Sequence, residues 1–231
     1  GDSKGAAATI ASGAQFLTEL RRIEPANSIA VVLLDTLQEL PAAGAALQRD
    51  DFTTAIRISR EAARQLDATT PSGGLQENQK YTGLFVAYHV EGRAEYLLGD
   101  FAAAEKSERA ALKARTRTPI EAVADRRDTA ELSTWLALAI AAQGRLAEAE
   151  QVIAPVVEFH RGLAAKNHGD EWQLAELSAA LYAQALADKP RGAALLEEAA
   201  ARLEALPATM RSLHDIKAWR ERVRAAQRST A

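Results

Sequence analysis

The stretch GRAEYLLGDFAAAEKSERAAL, Gly92 to Leu112, constrains the fold of this chain more than any other. It reads as a helix ending, a two-residue turn and a second amphipathic helix. Tyr88, Gly92 and Leu98 fall on the first helix, Gly99-Asp100 form the turn, and Phe101, Ala104, Ala111 and Leu112 mark the second. Small residues at Gly92, Ala104 and Ala111 let two helices approach closely, because a longer side chain there would hold them apart. Gly99 suits the left-handed residue that ends a helix, and Asp100 can cap the next one. The unit recurs. Phe52, Ala55 and Ala62 match Phe101, Ala104 and Ala111, and Ala149 and Ala193 continue the small position, in steps of 49, 45 and 44 residues.

A chain built on such units needs residues that favour helices and tolerate close contacts. Alanine supplies 52 of the 231 positions, aromatics are few, and no segment alternates as a strand would. That composition favours helix over sheet, and the chain is predicted to be all-α.

The order aromatic, small, Gly-Asp-aromatic, Ala, Ala resembles the helix-turn-helix of the tetratricopeptide repeat family. The family period is 34 residues, so the excess here is placed in longer first helices and inter-repeat loops. In this it is similar to the long-repeat versions found in bacterial regulators and kinesin light chains. The resemblance covers residues 28 to 206. It implies an α-solenoid of about four antiparallel helix pairs, a TPR-like right-handed superhelix with a concave surface, closed by a C-terminal capping helix.

In chain order the prediction is a single repeat domain over 1–231. A tail over 1–5 precedes an N-terminal helix within 6–27, carrying Ile10, Phe16 and Leu20. Helix pairs follow over 28–69, 78–118, 119–166 and 170–206, and a capping helix over 212–228 with Ile216, Trp219 and Val223 on one face. Ala68 to Gln79, with Pro71 and Gly73-Gly74, reads as a loop. Pro41 and Pro155 fall inside helices and are expected to kink or split them. Asp170 is expected to cap the helix from Glu171, and Pro190 to sit in the first turn of its helix.

Several functional classes find no support. Net charge is −3 with both signs interspersed, which gives no electrostatic case for nucleic acid. The longest apolar run, Trp135 to Ala142, is too short to span a bilayer. No signal peptide is read. There are no cysteines, so disulfides, thiolate nucleophiles and cysteine zinc sites are excluded, while either a reducing or an oxidising compartment remains compatible. The chain begins at Gly1 rather than Met, and the expectation is a piece of a larger protein, cytoplasmic or exported. Gly1-Asp2-Ser3-Lys4-Gly5 matches the letters of a nucleophile elbow but lacks the strand before and helix after it. No P-loop, dinucleotide fingerprint or H-E-x-x-H occurs. His89, His160, His168 and His214 contain no pair at helical spacing, so no metal site is predicted. No cofactor and no catalytic residue are assigned, and the chain is expected not to be an enzyme.

The candidate site is the face of each first helix that packing leaves over. In the second pair this stripe is Phe85, His89, Arg93 and Tyr96; in the third, Arg127, Glu131, Thr134 and then Leu138, which turns toward the core. In the fourth it is Glu171, Ser178 and Tyr182. Such a groove would hold an extended or helical peptide, with Arg93 or Arg127 meeting a carboxylate. The other reading makes Phe85 and Tyr96 inter-repeat core and the charges a solvated face. Two basic clusters, Lys113, Arg115, Arg117, Arg126 and Arg127, and Arg220, Arg222, Arg224 and Arg228, are interleaved with acids and read as solvated faces. The expected function is a non-enzymatic module binding a protein or peptide partner. The alternative is a ligand- or peptide-sensing regulatory domain of a larger bacterial signalling protein, a kinase or transcription regulator. A homodimer through the first repeat's edge is a further expectation, with no nucleic acid and no membrane insertion.

Overall fold

The computed structural model describes residues 18, 19, 22, 23, 29–119, 122–166 and 170–230. The expected N-terminal helix within 6–27 and the elbow letters at 1–5 fall wholly or mainly outside these residues, and so do Asn167, His168 and Gly169. Among the described residues the fold is all-α, with consecutive helices packed in antiparallel pairs. The helices are α1 (Ile29–Leu47), α2 (Phe52–Asp67), α3 (Gly74–Leu98), α4 (Phe101–Arg115), α5 (Val123–Ala142), α6 (Leu146–Lys166) and α7 (Glu171–Ala187). A 3-10 turn (Lys189–Arg191) leads into α8 (Gly192–Ala205), the single turn α9 (Ala208–Arg211) and α10 (His214–Thr230). The chain gathers into two compact units, Gly1–Glu91 with Lys113–Pro119, and Gly92–Leu112 with Ile120–Ala231.

The repeated turn is a shared hydrogen-bonding device. After α1, α3 and α5 the chain closes with the same six-residue bond: Asp51 N to Ala46 O at 3.0 Å, Asp100 N to Glu95 O at 3.0 Å, and Arg145 N to Ile140 O at 3.3 Å. Each satisfies a carbonyl the helix end would leave orphaned. The motif needs a left-handed residue, and Asp50, Gly99 and Gly144 supply it with φ of 59°, 86° and 80°. Gly99 and Gly144 adopt it freely, and Asp is among the few other residues that tolerate it. The caps at Asp100 and Asp170 follow the expectation from sequence, and Asp51 supplies a further one. The carboxylates of Asp51, Asp100 and Asp170 accept from Thr54 N, Ala103 N and Gln173 N at 3.2, 3.1 and 3.1 Å.

In the first unit α1 packs on α2, and Leu33, Leu40, Ala62, Leu66, Leu84 and Ala87 form its core. Ala55 and Ala62, the repeat's small positions, are wholly buried. Gly83 marks another close approach, since a Cβ there would lie 2.8 Å from Leu66 Cδ1. Lys80 is buried and its ammonium donates to the carbonyls of Asp67 (3.2 Å) and Thr69 (2.8 Å), a cation set at the end of α2 where the helix dipole favours it. The loop expected over 68–79 is shorter than its composition indicates. Helix α3 starts at Gly74 because Gln76 Oε1 accepts from Ser72 N (2.9 Å) and its hydroxyl (2.8 Å), satisfying a donor at the helix start.

In the second unit α5, α6, α7 and α8 pack in sequence, α5 also meets α7, and α10 lies on α8 and α7. The second half of α5 and most of α7 are buried nearly all round because neighbours cover both sides. Trp135 to Ala141, most of the longest apolar run, is buried core, and no described helix is long and apolar enough to cross a membrane. Leu177 and Leu181 are fully buried, each worth about 2 kcal/mol of transfer free energy. Ile216, Trp219 and Val223 are buried on one face of α10, as their spacing predicts. Neither proline divides its helix: α1 runs through Pro41 and α6 through Pro155. Packing on both flanking helices holds α6 together where an isolated helix would break. Pro190 sits in the 3-10 turn, one step earlier than expected.

Candidate functional site

The second unit holds a pocket of about 230 Å³ on the face formed by its first helices. Helix α5 contributes Glu131, Thr134 and Trp135, and α7 contributes Trp172, Ala175, Glu176 and Ala179. Both sets follow the i, i+3, i+4 spacing that places side chains on one helical face. Asp215, Ile216 and Trp219 of α10 close one side, with Arg93 of α3 and His160 of α6 completing the wall.

The pocket rests on an aromatic cluster. The Trp135 ring lies 5.3 Å from Trp219 and 5.5 Å from Tyr96, the latter edge-on, and Trp219 lies 5.8 Å from Tyr182. These are separations at which edge and tilted aromatic pairs attract. Two guanidiniums stack on it: Arg93 over Trp135 at 5.0 Å, and Arg222 over Trp219 at 4.9 Å and Trp135 at 5.7 Å. Burial raises the Tyr96 hydroxyl to about 12 and Tyr182 upward also, so both are neutral donors at physiological pH.

The polar wall is mostly acidic. Arg93 approaches Asp215 at 3.4 Å and Glu131 at 3.6 Å, and its Nε is buried without a hydrogen-bond partner among the described residues. Arg127 forks onto Glu176 with bonds of 2.7 and 2.9 Å and stands 3.7 Å from Asp170. Burial nevertheless holds Glu176 above the ordinary carboxylate range, with Glu131 and Asp170 adding to the rise. His160 is 2% exposed. Gln173 Nε2 stands 2.7 Å from its Nδ1. An amide nitrogen only donates, so Nδ1 accepts and the ring proton sits on Nε2. Burial first, and then the charge of Arg127, pull His160 down to about 4.

The predicted stripe is split by this geometry. Arg93, Glu131 and Thr134 line the pocket, although the Thr134 hydroxyl is turned to Ala130 O at 2.9 Å. Arg127 stands behind Glu176. Tyr96 and Tyr182 are packed in the aromatic cluster, and Ser178 is fully buried with its hydroxyl on Leu174 O at 2.7 Å. Glu171 is exposed and does not line the pocket. Phe85 and His89 belong to the first unit, where the buried Arg115 stacks on Phe85 at 5.6 Å. Arg115 thus departs from the solvated face expected of its cluster: it bonds the Thr118 hydroxyl and Pro119 O. Arg222 departs from it as well, its guanidinium lying on two indoles.

On α7 the face that lines the pocket lies one residue along from the predicted stripe. The signal that finds that face is the tryptophans. The chain has three, and Trp135, Trp172 and Trp219 all line this pocket. Among the described residues no group of three His, Cys, Asp or Glu could hold a metal ion.

No protein-family model matches the sequence, and no curated protein does. The structure is similar to the crystal structure of BtubC (BKLC) from P. vanneervenii, with a TM-score of 0.50 over 96% of this chain and 87% of that one. The two share 16% sequence identity, a likeness of fold alone.

Proposed function

We propose that this chain is a non-enzymatic interaction module of long TPR-like repeats, and that the first-helix face of its second unit binds a peptide segment of a partner. The observation behind this reading is the pocket between α5, α7 and α10. It joins an apolar aromatic floor to a few polar groups, the composition of a recognition site. Its walls come from packed helices rather than loops, so little ordering opposes binding.

The test is affinity capture from the source organism's lysate, comparing the chain with a Trp172→Ala/Glu131→Ala double variant. Both residues are exposed, which spares the core; Tyr96 is a poorer choice because it packs on Trp135. A protein retained by the parent and lost by the double variant supports the reading. Equal retention by both removes the face from consideration. A second reading, a ligand-sensing regulatory domain of a larger signalling protein, is favoured by the pocket's small volume. It predicts a small molecule in the eluate with no accompanying protein.

A further inference from the structure

We propose that the pocket receives a cationic side chain, the guanidinium of arginine or the ammonium of lysine, carried by the bound peptide. The inference rests on the reading of this face as a peptide-binding surface, and assigns its ligand chemistry.

Charge balance points to a cation. The lining carboxylates Glu131, Glu176 and Asp215 face one lining cation, Arg93. Adding the second-rank pair Arg127 and Asp170, and Arg222 on the indole floor, leaves an excess of one negative charge. His160 does not offset it, being neutral at physiological pH. An anion entering here would meet three carboxylates and an arginine already turned toward two of them.

The aromatic walls point the same way. Indole faces attract guanidinium and ammonium groups, and this cluster already holds Arg93 and Arg222 on Trp135 and Trp219. Trp172 is the unused member. It is 53% exposed and has no ring or cation partner among the described residues. An indole left in water at the mouth of an acidic pocket serves a ligand better than it serves the fold.

A third observation concerns the group beside the charge. His160 lines the pocket at 2% exposure with Nδ1 engaged by Gln173, which leaves Nε2–H as the ring's donor. That donor suits the carbonyl oxygen of a peptide whose side chain occupies the pocket. The volume, about 230 Å³, has room for a single long side chain and not for a helix.

The experiment is selection of a random decapeptide library on the purified chain, followed by titration of a retained peptide with intrinsic tryptophan emission as readout. All three tryptophans line the pocket, so the signal reports on it directly. Arginine or lysine should be fixed at one position. Replacing that arginine by citrulline, its neutral isostere, should weaken binding roughly tenfold, as should Trp172→Ala or Glu131→Gln in the protein. Retained peptides without a cation, or a citrulline peptide that binds equally well, overturn the assignment while leaving the peptide-binding reading intact. A library from which nothing is retained overturns both. Agmatine binding as tightly as the peptide would assign the cation site to a small free amine and overturn the peptide as its source.

Discussion

Protonation of His160 gives the sharpest test of the interior around the pocket. The ring is 2% exposed, accepts from Gln173 at Nδ1, and is held down to about 4 by burial and by Arg127. In the unfolded chain an imidazole titrates near 6.5. The folded value lies below the unfolded one, and charging a buried imidazole opposes folding. Above pH 6.5 both states are neutral and the residue contributes no pH dependence. Below it the unfolded chain takes the proton first, so stability falls between pH 6.5 and 4 by up to about 1.4 kcal/mol per pH unit. At pH 5.0 the loss amounts to about 2 kcal/mol relative to pH 7.5. The assay is urea unfolding at both pH values for the parent and His160→Gln, which keeps a polar group beside Gln173 and removes the titration. The variant should lose about 2 kcal/mol less than the parent on acidification. An equal loss in both proteins would refute the argument, by showing that His160 takes its proton as readily folded as unfolded.

Two glycines separate lack of space from backbone conformation. A Cβ at Gly83 would stand 2.8 Å from Leu66 Cδ1, and Leu66 is 1% exposed with nowhere to swing, so Gly83→Ala should lower stability by about 1 kcal/mol after its gain in helix propensity. Gly99 has open space around its missing Cβ but a φ of 86°, so Gly99→Ala should cost about 1–2 kcal/mol through backbone strain alone. Urea midpoints report both, and a neutral Gly99→Ala would remove the left-handed turn as a requirement. Trp219→Ala empties the contact with Trp135 and Tyr182, and should cost about 3–5 kcal/mol in thermal or urea unfolding. A loss below about 1 kcal/mol would mean that α10 is not packed as described.

Much of the fold was legible because its signals are local. Gly99-Asp100 reads as a turn from its own residues, and its hydrogen bonds close within six residues, as do those at Asp50 and Gly144, so chain-neighbour chemistry places them. The Ile216, Trp219 and Val223 face of α10 was equally readable from its period. Local signals misled where a side chain several residues away decided. Gly73-Gly74 looks like loop, yet Gln76 reaches back to Ser72 and starts α3 there.

The candidate site was legible only in part. Arg93, Glu131 and Thr134 of the predicted stripe line the pocket, whereas Ser178 and Tyr182 lie in the core. One residue along a helix is a rotation of about 100°. Sequence period gives the existence of faces, whereas the rotation of each helix against its neighbours follows from packing. Arg115 and Arg222 looked like solvated charges for the same reason: nothing in their local sequence announces Phe85, Trp135 or Trp219 as the surfaces that cover them. By itself the sequence determined helices, turns and caps, whose energies come from residues a few positions apart. Only the tertiary structure brought Trp135, Trp172 and Trp219, on three different helices, to the walls of one acidic pocket, because contacts between distant segments form only once the helices have packed.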